Sequence, residues 1–426
     1  MRDLYLDINP GAAGRSDKPE PPAPMSEVIV GLDAASTSAH AHVVNTRTGV
    51  VLLDRNLPAT VEGEDTLLAV LPERSMIVVE STGRYHLTWI RRLHAAGHEV
   101  YVLNGLLAKR LETAHTALRR PKTDKIDARR LAEIGRLHGG DLKRFRFTPD
   151  SPTRVRLRAF CTVRRSVRLA LTNAIRTGQH LLGVMIPEAD VMGLNLAYNQ
   201  GLTELFLRVD SRQRLLRMRE STLAEYACSK AQALRTAIAA GRVPDALFDA
   251  MLPALQAQLR MIKELRAQLQ AIEAEQRATL RSDPVESEAA QLAQSVPGCG
   301  PKTAATIVPC LPPGWREWGS KRVIANRLQA YWGFDPRPRE SGKWKGQVRM
   351  TKRGIEIART AMFQCAVCGM LHDPTLKAFY DEKRAQGMHH LVAVSHIMRK
   401  QLRRIVAVWY DRKPYTPASA PLPLAT

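Results

Sequence analysis

The chain is 426 residues long and 45% apolar, with 63 Lys and Arg against 41 Asp and Glu, a net charge of +22 and a pI near 10.2. That length accommodates two or three domains. Its longest apolar runs, such as MIVV and LLAVL, fall far short of the ~20 residues that span a bilayer, and six scattered cysteines exclude a disulfide framework. A protein this basic is expected to meet a polyanion, most commonly nucleic acid, rather than a membrane surface, because no amphipathic anchor helix stands out.

Residues 1–25, rich in Pro, Gly and Ala, read as a disordered leader with no signal-peptide pattern, so the expected location is the cytoplasm, at the nucleoid. Met25 is a possible alternative start. Residues 26–148 follow as an α/β domain. EVIVGLDAAST ends a strand near Asp33, SAHAHVVN alternates, TRTG turns at Gly49, and VVLLDRNL is a third strand. GEDTLLAVLPE is a short helix, SMIVVE a strand ending at Glu80, STGRYHLTWIRRLHAAGH a helix closed by Gly97, and HEVYVLN a strand. The stretch from Gly105 to His138 is helical, interrupted near Pro121, so the order β-β-β-α-β-α-β-α predicts a mixed sheet. His40 and His42 share a face of the second strand and read as strand residues rather than metal ligands.

Strand signals vanish in residues 149–288, a helical region. Leu252, Leu255, Leu259, Ile262, Leu269 and Ile272 recur at spacings of three and four, with one step of seven, which suits a long helix with a coiled-coil seam. That seam fits an intradomain bundle and a dimerisation arm equally. Residues 289–413 form a third region, Gly-, Pro- and Trp-rich and then helical, and 414–426 a flexible tail. In the final helix Arg399, Lys400, Arg403 and Arg404 share one face. Cys365 and Cys368 form a lone C-x-x-C in an apolar helix, with no second ligand pair for zinc. The net charge grows along the chain, from +3 over 26–145 to +8 over 146–285 and +12 over 286–413. A carboxylate-bearing front beside phosphate-gripping rear regions fits that gradient.

The carboxylates carry the chemistry. Asp33 and Glu80 each end a strand, and parallel pairing would bring them to one sheet edge. Asp124 and Asp127, three apart in KTDKIDA, point the same way on a helix. If that helix crosses the strand ends, four carboxylates converge and need counter-charge. Mg²⁺ suits such hard oxygen donors and in-line phosphoryl transfer. Taken singly, each acid is equally a helix cap or a surface charge.

SVPGCGPKTAATIV is a Pro-Gly-x-Gly turn opening a helix, the pattern of a helix-hairpin-helix, with Lys302 adding charge for a phosphate. In WGFDPRPRESGKWKGQVRM, Ser341 precedes Gly342 among Arg337, Arg339, Lys343 and Lys345. Such a hydroxyl could attack a phosphodiester once a base or metal takes its proton, but no His or Asp stands beside it and a Ser-Gly turn in a basic loop is common.

Taken together, GLDAAS, VVESTGRYH, KTDKIDARRLAEI, SVPGCGPKTAATI and GFDPRPRESGKWKG resemble, in that order, the signature stretches of the DEDD transposases, the insertion-sequence-110-like family of RNA-guided recombinases. The resemblance covers roughly residues 26–410. It implies an α/β plus α architecture: an N-terminal RuvC-like, RNase H-type domain with Asp33, Glu80, Asp124 and Asp127 as Mg²⁺ ligands, a coiled-coil middle for oligomerisation, and a mainly helical C-terminal transposase domain. It implies that Ser341 attacks DNA to form a covalent phosphoserine link, and that a non-coding bridge RNA pairs with target and donor DNA. It also implies a tetramer, a dimer of dimers, in which one subunit's acids meet another's serine. The stretch GLTELFLRVDSRQRLLRMRESTLAEYACSK looks like an added helical hairpin. The rival readings are a RuvC-like structure-selective nuclease using metal-activated water, and a non-catalytic nucleic-acid-binding protein.

Overall fold

The computed structural model describes residues 26–81, 83–111, 123–337, 340–341, 344–345 and 349–417. The chain divides into two compact units, Met1–Pro149 and Asp150–Thr426.

The first unit is built on a five-stranded mixed sheet. Its strands are β1 (Val28–Ala34), β2 (Ser38–Asn45), β3 (Val51–Pro58), β4 (Met76–Glu80) and β5 (Glu99–Leu103), in the order β3-β2-β1-β4-β5. The first three pair antiparallel, and β4 and β5 extend the sheet in parallel. The β2–β3 turn is set locally: the Asn45 side chain accepts from the amides of Arg47 and Thr48, both at 3.0 Å.

Helices cover both faces. On one, Val28, Val30, Leu32 and Ala34 of β1 share a core with Leu67 of α1 (Val61–Leu68) and Trp89, Ile90 and Leu93 of α2 (His86–Ala95). On the other, Ile29 of β1 and Met76 and Val78 of β4 pack with Ala108 of α3 (Gly105–Leu111) and with Leu131, Ala132 and Ile134 of α4 (Asp124–His138). Burial on both faces is why the β1 sequence reads as an unbroken apolar run. Each fully buried Val, Ile or Leu contributes about 1.5–3 kcal/mol. The Thr123 hydroxyl caps α4 by accepting from the Ile126 amide at 3.3 Å.

Two long helices organise the second unit: α5 (Pro152–Met185, 34 residues) and α10 (Asp245–Arg281, 37 residues). They run antiparallel. Gln276 near the end of α10 donates to the Cys161 sulfur near the start of α5, and Gln258 donates to the Ala174 carbonyl further along. At one end of the pair, Leu182, Met185, Phe248, Leu252, Leu255, Leu259 and Ile262 share a core with the short helices α6 (Gln200–Arg208), α7 (Arg212–Arg217), α8 (Glu220–Ala227) and α9 (Ala231–Ala240). The inserted segment is therefore a cluster of short helices, where a hairpin was expected. Leu252, Leu255, Leu259 and Ile262 of the seam are buried within one chain.

At the other end, Leu157 and Leu280 join a second core. It is built from α11 (Pro284–Gln294), α12 (Pro301–Ile307), α13 (Lys321–Tyr331), α14 (Glu356–His372), α15 (Pro374–Ala385) and α16 (His390–Asp411). Two of its buried indoles find acceptors: Trp409 donates to the Ala289 carbonyl at 2.7 Å and Trp332 to that of Cys310 at 3.1 Å. Among the described residues, no helix is long and apolar enough to cross a membrane.

Candidate active site

The site is assembled from strand register upward. β1 and β4 are parallel neighbours with Leu32 opposite Val79. The next residue on each strand is Asp33 and Glu80. Adjacent strands lie ~4.8 Å apart, and side chains alternate between faces. Asp33 follows Ile29 and Gly31, and Glu80 follows Met76 and Val78, so both carboxylates belong to the face that α4 covers.

The direction of α4 brings its own acids to that edge. Gly31 lies against Ala128 and Ala132, and Gly135, further along α4, lies against Ile29, nearer the start of β1. The helix therefore runs antiparallel to β1, and its first turn, with Asp124 and Asp127, lies toward the strand ends. Asp127 is buried at 6% exposure, whereas Asp124 is exposed.

Arg130 links two of the acids. Its guanidinium lies 3.2 Å from Asp127 Oδ1 and 3.5 Å from Glu80 Oε2. A cation thus stands between a strand carboxylate and a helix carboxylate. These hard oxygens suit Mg²⁺ in kind. Among the described residues, however, no group of three or more His, Cys, Asp or Glu is close enough to hold a metal ion. An ion taken up between Glu80 and Asp127 would have to displace Arg130.

Beside this edge lies a polar cluster that sequence reading missed. Asp54 on β3 receives His40 Nε2 at 3.0 Å, His42 Nδ1 at 3.5 Å, Lys125 Nζ at 3.5 Å and the Arg129 guanidinium. His40 is also the cross-strand partner of Asp33. Burial would raise the Asp54 carboxyl, but the hydrogen bonds from His40 and Arg129 prevail and hold it well below the usual carboxylate range. Burial pushes His42 below its ordinary value despite the Asp54 charge. The period-two pattern had put both histidines on one face. Only strand register puts Asp54 opposite His42.

The second unit holds the other candidates. Ser341 stands in β7 (Glu340–Ser341), paired with β8 (Trp344–Lys345), Ser341 opposite Trp344. A second pair, β6 (Pro336–Arg337) and β9 (Arg349–Met350), lies sequence-outward of it. Arg337 and Lys345 therefore lie on strands, while Arg339 and Lys343 fall outside the described residues. Asp335, just before β6, accepts from the Thr351 hydroxyl just after β9, and burial raises its carboxyl.

Lys302 on α12 pairs with Glu273 at 2.8 Å, so its charge answers a carboxylate only 8% exposed. Gly298 in the preceding turn has φ +88°, and a β-carbon there would lie 2.4 Å from the Gly369 Cα. That glycine serves close packing on α14. Cys365 is buried and Cys368 exposed.

Comparison with known proteins matches two separate stretches of the chain, the first of which extends beyond Pro149 into the second unit. The DEDD transposase model of the IS110 type, described as "Transposase", matches residues 30–187, and the model described as "Transposase IS116/IS110/IS902 family" matches residues 290–381. An insertion element IS110 protein of 43.6 kDa from Streptomyces coelicolor is 27% identical over 90% of this chain and 94% of its own length. An insertion element IS116 protein of 44.8 kDa from Streptomyces clavuligerus is 24% identical over 83% of this chain and 87% of its own. A T. thermophilus RuvC solved in complex with a Holliday junction substrate aligns with a TM-score of 0.21 and 15% identity, over 26% of this chain and 94% of that one. That structural likeness is too weak to bear on the fold.

Proposed function

This chain belongs to the IS110 family of DEDD transposases, DNA strand-cleaving and strand-transferring enzymes, and from that premise we propose that it is an RNA-guided, Mg²⁺-dependent recombinase that works through a covalent phosphoserine. The observation that carries the carboxylate half of the reading is the shared edge of Asp33 and Glu80, with Arg130 joining Glu80 to Asp127. The order β3-β2-β1-β4-β5, three strands antiparallel and two parallel, supports an RNase H-type, RuvC-like domain.

Asp33, Glu80, Asp124 and Asp127 are the residues that would hold Mg²⁺. When bound, the metal supplies positive charge for the scissile phosphate and eases deprotonation of the attacking hydroxyl. Arg130 keeps Glu80 and Asp127 together by attraction where two bare carboxylates would repel. Ser341 is the nucleophile. Its oxygen bonds to phosphorus as the bond to the leaving sugar oxygen breaks, so the phosphodiester energy is kept for rejoining. Its position in a paired strand limits the backbone freedom of the attacking residue. Arg337, Arg339, Lys343 and Lys345 grip backbone phosphates, and Lys302 contributes less because Glu273 already holds it.

A guide RNA selecting target and donor DNA, and a dimer of dimers that joins one subunit's acids to another's serine, complete the proposal on the family resemblance. So do the domain boundaries at 148/149 and 288/289 and the coiled-coil reading of the middle. The test is incubation with element-flanking RNA, cognate DNA and Mg²⁺, followed by a denaturing gel. A protein–DNA adduct that disappears in Ser341→Ala and in Asp127→Asn is the expected result. Free cut ends without an adduct would replace the proposal with a metal-activated-water nuclease, and binding without cleavage would leave only a binding protein.

A further inference from the structure

The final helix carries a set of cations for which neither the carboxylate edge nor the Ser341 hairpin has a use. His396, Arg399, Lys400 and Arg403 recur at i, i+3, i+4 and i+7, which is one helical face. α15 packs against α16. From it Phe379 presents its ring to two ammonium groups, Lys400 Nζ at 3.7 Å and Lys383 Nζ at 5.2 Å from the centroid.

The carboxylates of these helices are already engaged. Asp373 at the start of α15 holds Arg404 at 2.6 Å, Asp381 holds Lys377 at 2.5 Å, Glu382 holds Lys383 at 3.2 Å and Asp411 holds Lys321 at 2.5 Å. Among the described residues, Arg399, Lys400 and Arg403 have no carboxylate within salt-bridge distance. Arg399 is nonetheless half-buried, and burial together with the Arg403 charge makes its proton harder to hold. Partly desolvated like charges cost folding free energy. An external anion recovers it.

We propose that Arg399, Lys400 and Arg403 of α16, flanked by Lys383 of α15, form a docking strip for the phosphate backbone of duplex DNA. Arg399 and Arg403 are one turn apart, about 6 Å of helix rise, which places two guanidinium groups within reach of neighbouring phosphates on one strand. The strip holds backbone rather than bases. Its aromatic rings already face cations, Phe379 the two lysines and Tyr380 the Lys377 ammonium at 5.6 Å, which disfavours stacking of an unpaired base. Such a strip fixes orientation and register and reads no sequence. DNA is the polyanion on which the family acts.

The test uses the full-length protein in EDTA, so that neither metal nor the serine takes part and the result is independent of the proposed chemistry. Affinity for a duplex DNA of unrelated sequence is measured by fluorescence anisotropy between about 50 and 200 mM salt. Arg399→Gln/Arg403→Gln is expected to flatten the slope of log affinity against log salt by about 1.8, the release expected for two phosphate contacts. The control Arg277→Gln/Arg281→Gln removes the same charge from exposed positions of α10 and is expected to leave the slope unchanged. Arg399→Lys/Arg403→Lys keeps the charge and should retain the wild-type slope. Should the double Gln variant fail to fold, the exposed single variant Arg403→Glu gives the same reading. An unchanged slope in the strip variants overturns the proposal. So does an equal loss in the α10 control, which would make the effect one of total charge. A loss confined to duplex RNA also overturns it and makes RNA the ligand.

Discussion

Gly31 of β1 and Ala128 of α4 meet backbone to backbone: a β-carbon on Gly31 would lie 1.8 Å from the Ala128 carbonyl oxygen and 2.5 Å from the Ala132 nitrogen. The contact sets how deeply α4 sits on the sheet, one residue from Asp127 and two from Asp33. Neither neighbour is a side chain that can rotate away. Gly31→Ala is expected to cost about 1–3 kcal/mol, as overpacking does. A urea melt would show a lower midpoint with an unchanged slope. A variant as stable as wild type would show that α4 is not seated by this contact.

Arg130 is the internal counter-charge of the acid edge. Arg130→Gln leaves Glu80 and Asp127 without it and is expected to lower stability by about 1.5–3 kcal/mol, the range for a hydrogen bond to a charged group. If these acids take Mg²⁺, the ion should raise the melting temperature of the variant more than that of wild type. Calorimetry with and without Mg²⁺ reads the difference, and an equal response in both proteins speaks against metal uptake between these two acids.

Asp54 ties β2, β3 and α4 together through His40, Lys125 and Arg129. Its carboxyl is held below its unfolded value, so the stability it contributes is full above about pH 4 and is lost as pH falls through the lowered folded value. Asp54→Asn should therefore be less stable than wild type at neutral pH, and the gap should close as the solution is made strongly acid. Urea melts over a pH series test this, and a gap independent of pH would assign the loss to packing.

His98 at the start of β5 is 7% exposed, its Nδ1 has no hydrogen-bond partner, and burial lowers its pKa. A histidine of this kind favours folding fully above about pH 6.5, and the stability drains away below that as the unfolded chain takes up the proton first. His42 acts with the same sign. From about pH 7 to about pH 5.5 the protein should therefore lose stability, and both groups contribute to the loss. His98→Gln should remove its share of that loss, as measured by chemical denaturation at the two pH values.

The elements of the front unit were legible because each carries its own signal. β1 and β4 are apolar runs that end at Asp33 and Glu80, the alternation of SAHAHVVN marks β2, and Gly97 closes the helix before β5 at φ +91°. The Asp54 cluster was not legible. Asp54 is twelve residues from His42 in sequence and becomes its neighbour only through antiparallel register, which a one-residue slip would abolish. The partner of Lys302 was not legible either: its motif shows a lysine after a Pro-Gly-x-Gly turn, and only the fold brings the nearly buried Glu273 of α10 to 2.8 Å from it. The segment after residue 200 read as a hairpin because apolar spacing reports amphipathic faces and not how many short helices share them.

Sequence alone determined the order of strands and helices in the front unit, the basic balance, and the family, because periodicity, charge and contiguous motifs are local properties of the chain. Tertiary structure alone decided that Arg130 stands between Glu80 and Asp127, that Asp54 gathers two histidines and two cations, and that, among the described residues, Arg399 and Arg403 are left without a carboxylate. Charges act through space over a few ångströms, and residues 50 apart in the chain, such as Glu80 and Arg130, come that close only after strand register and helix direction are fixed.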